Sequence, residues 1–240
     1  MDEDDFEWII NGFKNTIERF SGKKFPQDPS EQLKEAISAV FNSWMNPRAI
    51  TYRKINNIPD TLGTGVTVQS MVFGNLNKIS GTGVAFTRNP SDGSKKLFGE
   101  YLLNAQGEDV VAGIRTPYPL AKGRESKGNS LEETMPEIFE RIEVICNKLE
   151  GHYKDMQDIE FTIENGELFL LQTRRGERSA RASLKIAVDL VNERLIDKQK
   201  ALLRVKASDI ENLLHPTIKP GTRKELFGNG LNASPGAATG

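Results

Sequence analysis

The chain has 240 residues, 32 Lys plus Arg against 33 Asp plus Glu, and a formal net charge of -1. That balance, with a pI near 6.2 and mean hydropathy of -0.47, gives no overall pull toward nucleic acid or a membrane surface. One cysteine, Cys146, excludes an intramolecular disulfide and fits a reducing compartment, and no apolar run approaches spanning length.

The first fifty residues predict helices. Phe6, Ile9, Ile10, Phe13, Ile17 and Phe20 recur at three- and four-residue steps. The acidic start suits the positive end of a helix dipole, and Ser21-Gly22 ends the pattern. After Pro26 and Pro29, Ser30 is expected to cap a second helix carrying Leu33, Ile37, Val40, Phe41 and Trp44. Pro47 introduces a short third helix to about Asn56. Its basic residues Arg48, Arg53 and Lys54 read as a charged outer face rather than a nucleic-acid patch.

The middle reads as β-rich. Residues 65–73 are dense in β-branched side chains and predict a strand. Ser80-Gly-Thr-Gly83 reads as a glycine-rich turn into a second strand, 84–87, and 98–104 as a third. Such a turn can cradle a phosphate on backbone N–H groups, or be an ordinary hairpin turn. No Gly-Lys-Ser/Thr follows, so it is not a P-loop. Residues 121–133, polar and glycine-containing, predict an exposed insertion. Pro136 opens a helix to about Asp155, in which Cys146 falls among Ile138, Ile142, Ile145 and Leu149 as a small core residue. His152 and His215 have no advertised partner for general-base work and read as solvent-facing or satisfied.

The most telling stretch is Asp158 to Arg174. Asn165-Gly166 between alternating apolar runs predicts a β-hairpin. Asp158 and Glu160 are two apart and share a face, as do Gln172 and Arg174. The expected pairing sets Glu160 opposite Leu171 or Gln172. Two carboxylates, one amide and one guanidinium would then meet on one surface. Hard oxygens of that kind suit Mg²⁺, and a guanidinium beside them suits phosphate. The plainer alternative is a solvated face with cross-strand charge pairs. Further helices are expected over 183–193, 197–205 and 208–213, and 228–240 reads as a linker, as in a piece of a longer protein.

Several segments together carry a family resemblance. They are Asn46-Pro-Arg-Ala-Ile, Gln69-Ser-Met-Val-Phe-Gly-Asn, Ser80-Gly-Thr-Gly-Val-Ala-Phe-Thr-Arg-Asn-Pro, Gly99-Glu-Tyr-Leu-Leu-Asn-Ala-Gln-Gly-Glu, Arg115-Thr-Pro, Asp155-Met-Gln-Asp-Ile-Glu-Phe-Thr and Leu171-Gln-Thr-Arg. From about Phe13 onward the chain resembles the pyruvate, phosphate dikinase family. The resemblance implies an α+β fold, an ATP-grasp-type lobe with a mainly antiparallel sheet flanked by helices. It divides the chain into a helical segment 1–60, a β-rich lobe 61–178, a helical segment 179–227 and a linker 228–240. It implies an enzyme that moves phosphoryl groups from ATP through a phosphohistidine to phosphate and pyruvate, forming phosphoenolpyruvate.

Carried over by motif, Glu160 and Gln172 would hold Mg²⁺, and Arg174 would be catalytic on the transferring phosphates. Asp158 would order the hairpin or bind metal through water. Gly81, Thr82 and Gly83 would cover the phosphates, Met71 and Val72 would line the adenine slot, and Glu100 and Glu108 would face the nucleotide or its metal. The implied partners are ATP, phosphate and the rest of the same polypeptide: another nucleotide-binding lobe, the phosphohistidine domain and a pyruvate-binding barrel. A homodimeric, intracellular enzyme follows, cytoplasmic or in an organelle. The piece alone is expected to be inactive. The alternatives are a pyruvate, water dikinase piece and a docking module that keeps the fold without catalysis.

Overall fold

The computed structural model describes residues 2–111, 115–123 and 128–214, with the side chains of Val111 and Asn212 left aside. The chain divides into two compact units, Met1–Ser70 and Met71–Gly240.

The first unit is helical: α1 Glu3–Ser21, α2 Pro29–Ser43 and α3 Pro47–Ile55, followed by a 3₁₀ turn at Asp60–Leu62. Asp2 caps α1 in a reciprocal capping box with Asp5, and Gly22 closes it in the left-handed conformation (φ 70°). The cap of α2 is Asp28, two positions before the Ser30 expected. Asp28 accepts from the Ser30 N–H, and Pro29 fills the first helical position, where no N–H is needed. Neither α1 nor α2 buries a residue; Trp8 and Phe20 are about four-fifths exposed, at 79% and 82%. Arg53 departs from the expected solvated face. It is 3% exposed. Its guanidinium lies 4.0 Å over the Trp44 ring, donates to the Trp44 carbonyl at 2.6 Å and pairs with Asp60 at 2.6 Å. A planar cation that stacks and forks at once suits that enclosed place.

The second unit is built on a five-stranded sheet. Its strands are β1 Gly81–Phe86, β2 Phe98–Leu103, β3 Tyr118–Pro119, β4 Gln157–Glu164 and β5 Glu167–Arg175, in the order β3-β2-β1-β4-β5. Every pairing is antiparallel. Between them lie α4 Gly107–Val111, α5 Leu131–Thr134 and α6 Pro136–Tyr153, and after them α7 Ala180–Asn192, α8 Lys198–Arg204 and α9 Ala207–Leu214. The expected α+β class, with a mainly antiparallel sheet flanked by helices, is what the chain adopts.

Three expected elements differ. Residues 65–73 form no strand. Their β-branched side chains favour a pleated, half-buried surface, but none of them pairs in a described strand, and Val68 is exposed. Ser80-Gly-Thr-Gly is not a turn: Gly81, Thr82 and Gly83 are buried residues of β1 itself, paired on both sides. Segment 121–133 is not wholly exposed. Ser130, buried, caps α5 in a capping box with Glu133, and Leu131 is fully buried.

One sheet face packs on α6. Ala85, Tyr101, Ile159, Phe161, Ile163 and Leu168 meet Ile138, Phe139, Ile142 and Cys146 there. From the hairpin, Phe161, Ile163 and Leu168 belong to this core. Val84 and Phe86 are half-buried on the opposite face, and Leu170 is exposed on the edge strand β5. Val66 is only half-buried and Val68 exposed, outside any strand. Phe161 also explains Gly83: a Cβ there would stand 2.6 Å from the Phe161 ring and 2.6 Å from the Glu100 carbonyl. The ring occupies the space a larger residue would need.

Truncating Phe161 to Ala removes a fully buried ring from this core. The expected loss is about 3–5 kcal/mol in denaturant unfolding. A loss below about 1 kcal/mol would place the ring at a surface and reverse the face assignment of β4.

Candidate functional site

The hairpin sets the site. Asn165 (φ 50°) and Gly166 (φ 80°) form the two central residues between Glu164 and Glu167, which face each other. Positive φ at both is the demand of a type I′ turn, and Asn-Gly meets it. Counting back from the turn, Glu164 pairs Glu167, Ile163 pairs Leu168 and Phe161 pairs Leu170. A bulge between Glu160 and Phe161 then skips Leu171, so Glu160 stands opposite Gln172 and Asp158 opposite Arg174. Of the two pairings the sequence left open, Gln172 is the one adopted. Without the bulge the polar residues of β5 would point to the other face.

The register continues across the sheet. Glu100 pairs Val84, and Val84 pairs Glu160. Directly opposite residues share a face, so Glu100, Val84, Glu160 and Gln172 form one transverse row. The next row is Phe98, Phe86, Asp158 and Arg174. Arg174 Nε donates to Asp158 Oδ2 at 2.7 Å, and its Nη2 lies 4.0 Å from Glu160 Oε1. Asp158 is nearly buried while Arg174 is 60% exposed, so the carboxylate anchors the guanidinium and leaves its outer nitrogens toward solvent. That hydrogen bond and the charge behind it raise the Arg174 pKa further above its ordinary value. Desolvation raises the Glu100 carboxyl.

The chemistry of this face is specific. Glu160 and Gln172 offer one carboxylate and one amide oxygen side by side, the residues available here to hold a hard cation. Asp158 is already engaged by Arg174. Among the described residues no group of three or more His, Cys, Asp or Glu side chains is arranged for a metal, so a cation here would draw most of its ligands from elsewhere, as one bound with phosphates does.

The other expected site residues are not gathered in the same way. Thr82 lies on this face one row beyond Glu160, opposite Thr162, but it is buried, and its hydroxyl donates to the Phe161 carbonyl at 3.1 Å. Gly81 and Gly83 face Ile163 and Phe161 on the core side. A phosphate nest needs free N–H groups in a turn, which these buried strand residues do not form. Met71 is exposed and Val72 half-buried in an irregular segment rather than on a central strand. Glu108 is exposed on α4. His152 is exposed, in an edge-on contact with Tyr153. Cys146 is buried, and burial pushes its thiol up to about 12, which keeps it protonated and inert. His215 and 228–240 lie outside the described residues. Sequence reading missed Phe98, Val84 and Phe86 as members of this face; alternation from Glu100 and Glu160 carries the signal once the register is known.

A family model, pyruvate phosphate dikinase, AMP/ATP-binding domain, matches residues 24–138 and 121–195. Over 240 residues the chain is 59% identical to pyruvate, phosphate dikinase of Rhizobium meliloti, covering 98% of this chain and 27% of that protein. It is 52% identical to the Clostridium symbiosum protein of the same name, over 99% of this chain and 26% of that protein. To the chloroplastic pyruvate, phosphate dikinase of Flaveria bidentis it is 49% identical, over 98% of this chain and 24% of that protein. The chain thus spans about a quarter of the length of these curated relatives. With the domain matched over most of its length and relatives this similar along nearly all of it, the chain belongs to the pyruvate, phosphate dikinase AMP/ATP-binding domain family.

Proposed function

We propose that this chain binds ATP with Mg²⁺ on the open sheet face around Glu160 and Gln172, and forms the nucleotide-binding part of a pyruvate, phosphate dikinase. The observation that carries the reading is the register: Glu160 opposite Gln172, with Arg174 anchored by Asp158 in the next row. Glu160 and Gln172 would hold the metal. When bound, Mg²⁺ neutralises phosphate charge and templates the phosphates for transfer. Arg174 stabilises charge on the phosphoryl group as it leaves, and Asp158 keeps the guanidinium aimed. Glu100 closes the row on the far side of Val84, Met71 and Val72 line the base, and Glu108 faces the nucleotide's surroundings. Phosphate, the phosphohistidine domain, the pyruvate-binding barrel and a second copy of the enzyme are partners of the whole protein.

Phosphoryl transfer is largely positioning and charge stabilisation, and one arginine contributes about 10³–10⁵ in rate. In the full-length enzyme Arg174→Leu should therefore abolish ATP-dependent phosphorylation of the histidine. Exchange between phosphoenolpyruvate and that histidine should survive. Arg175, opposite Gln157 on the other face, is the control, and Arg175→Leu should leave both half-reactions near normal. Equal damage to both half-reactions by Arg174→Leu would mean a folding defect and end the catalytic assignment.

The chain by itself is expected to form no phosphoenolpyruvate from ATP, phosphate and pyruvate, yet to bind Mg-ATP. In a calorimetric titration, Glu160→Ala should weaken that binding at least about tenfold, the loss of one charge-assisted contact. Wild-type protein with no heat of binding would favour a module that keeps the fold and has lost the ligand.

Glu100 gives a pH test. Its folded pKa is raised by desolvation, so ionised Glu100 disfavours the fold at neutral pH, and the penalty vanishes once the carboxyl is protonated in both states. Glu100→Gln should raise stability at pH 7 and bring no gain below the ordinary carboxyl range. Equal effects at both pH values would remove the desolvated carboxyl from this face.

A further inference from the structure

A second set of charges lies on the far side of the hairpin, around Asp155. This carboxylate is nearly buried and saturated. It accepts the fork of Arg178 at 2.7 and 3.0 Å and the Met156 N–H at 2.9 Å. Arg175 Nε stands 3.1 Å from it and Arg204 Nη1 3.9 Å. Three guanidiniums therefore share one carboxylate. Only Arg178 is buried, at 7%; Arg175 is 58% exposed and Arg204 26%. Among the described residues, neither Arg175 nor Arg204 has another carboxylate within ion-pair distance. Arg204 Nη1 also donates to the Lys154 carbonyl, which leaves its second terminal nitrogen and both of Arg175's without a described acceptor.

Another buried cation, Arg88, has a different balance of partners. Arg88 is fully buried, and it meets Glu150 at 2.6 Å, Glu193 at 2.8 Å and Asp189 at 3.8 Å. Lys95 and Lys185 join the same acids. There three cations face three carboxylates, and the charge closes. Around Asp155 it does not: two positive charges are left at the surface, on side chains whose fixed donor geometry matches tetrahedral oxyanions. Arg175 Nε stands at Oδ2 of Asp155 and Arg204 Nη1 at Oδ1, so one carboxylate tethers both guanidiniums.

We propose that Arg175 and Arg204, braced by Asp155 and Arg178, form an anion site for a phosphate-type group, separate from the nucleotide face. The anion sits between the outward nitrogens of Arg175 and Arg204 and supplies the negative charge that this cluster lacks. Arg174 and Arg175 are thus adjacent in sequence and divided in task, because alternation along β5 sends them to opposite faces.

The test uses inorganic phosphate as the probe on the purified 240-residue chain. Thermal unfolding is followed as phosphate rises, with ionic strength held constant by sodium chloride. Wild type and Arg174→Leu should both show a saturable rise in Tm. The double variant Arg175→Gln, Arg204→Gln should lose it. If the double variant does not fold, Arg175→Gln alone should weaken phosphate at least about tenfold by calorimetry. No rise beyond the chloride control overturns the proposal. So does a rise that survives in the double variant, or one lost in Arg174→Leu, which would put the phosphate on the nucleotide face.

Discussion

The structure depends on where one hairpin turns. Strand side chains alternate with period two, so a shift of one residue between β4 and β5 would send Gln172 and Arg174 to the other face of the sheet. Asn165 and Gly166 fix the register at one end, because only residues that accept positive φ can make that two-residue turn. The turn is held from outside as well. The Asn165 N–H donates to Ser80 Oγ at 2.9 Å, the Gly166 N–H to the Ile79 carbonyl at 3.1 Å, and Asn77 Nδ2 to Asn165 Oδ1 at 2.9 Å. The bulge at Glu160/Phe161 then corrects the phase midway along the hairpin. Turn, loop and bulge together decide which four polar side chains meet.

The two faces of the sheet divide the work. Phe161 and its neighbours bury one face on α6, and the fully buried ring resists any slip of β4 because slipping would expose it. That rigidity is passed to the opposite face, where Asp158 and Glu160 stand between core residues of the same strand. A nucleotide site built on strands is held more closely than one on loops. The same alternation separates Arg174, anchored by Asp158, from Arg175, which leans on Asp155.

Much of this was legible in the sequence. The Asn-Gly turn, the two-residue spacing of Asp158 with Glu160 and of Gln172 with Arg174, and the helical periods need only local rules. What was not legible depends on partners distant in sequence. Ser80-Gly-Thr-Gly carries turn composition, yet it is a central strand because Phe161, far along the chain, requires Gly83 beneath its ring. Residues 65–73 carry strand composition and form no strand. Arg53 reads as a surface charge and is enclosed by Trp44 and Asp60. The bulge that selects Gln172 over Leu171 has no local signature, so the hairpin's surface was readable and its exact pairing was not.

A metal–phosphate group held, as proposed, at the Glu160–Gln172 crossing would relax the nuclei nearest to it and spare those elsewhere on the sheet. Manganese–ATP in place of magnesium, followed by paramagnetic broadening of side-chain amide resonances, measures this directly. Three amides report: Gln172 at the crossing, Asn165 at the turn, and Gln157, buried on the opposite face. The Gln172 signal should disappear at the lowest manganese–ATP level while those of Asn165 and Gln157 persist. Loss of Asn165 or Gln157 first, or equal loss of all three, would move the metal–phosphate group away from that crossing.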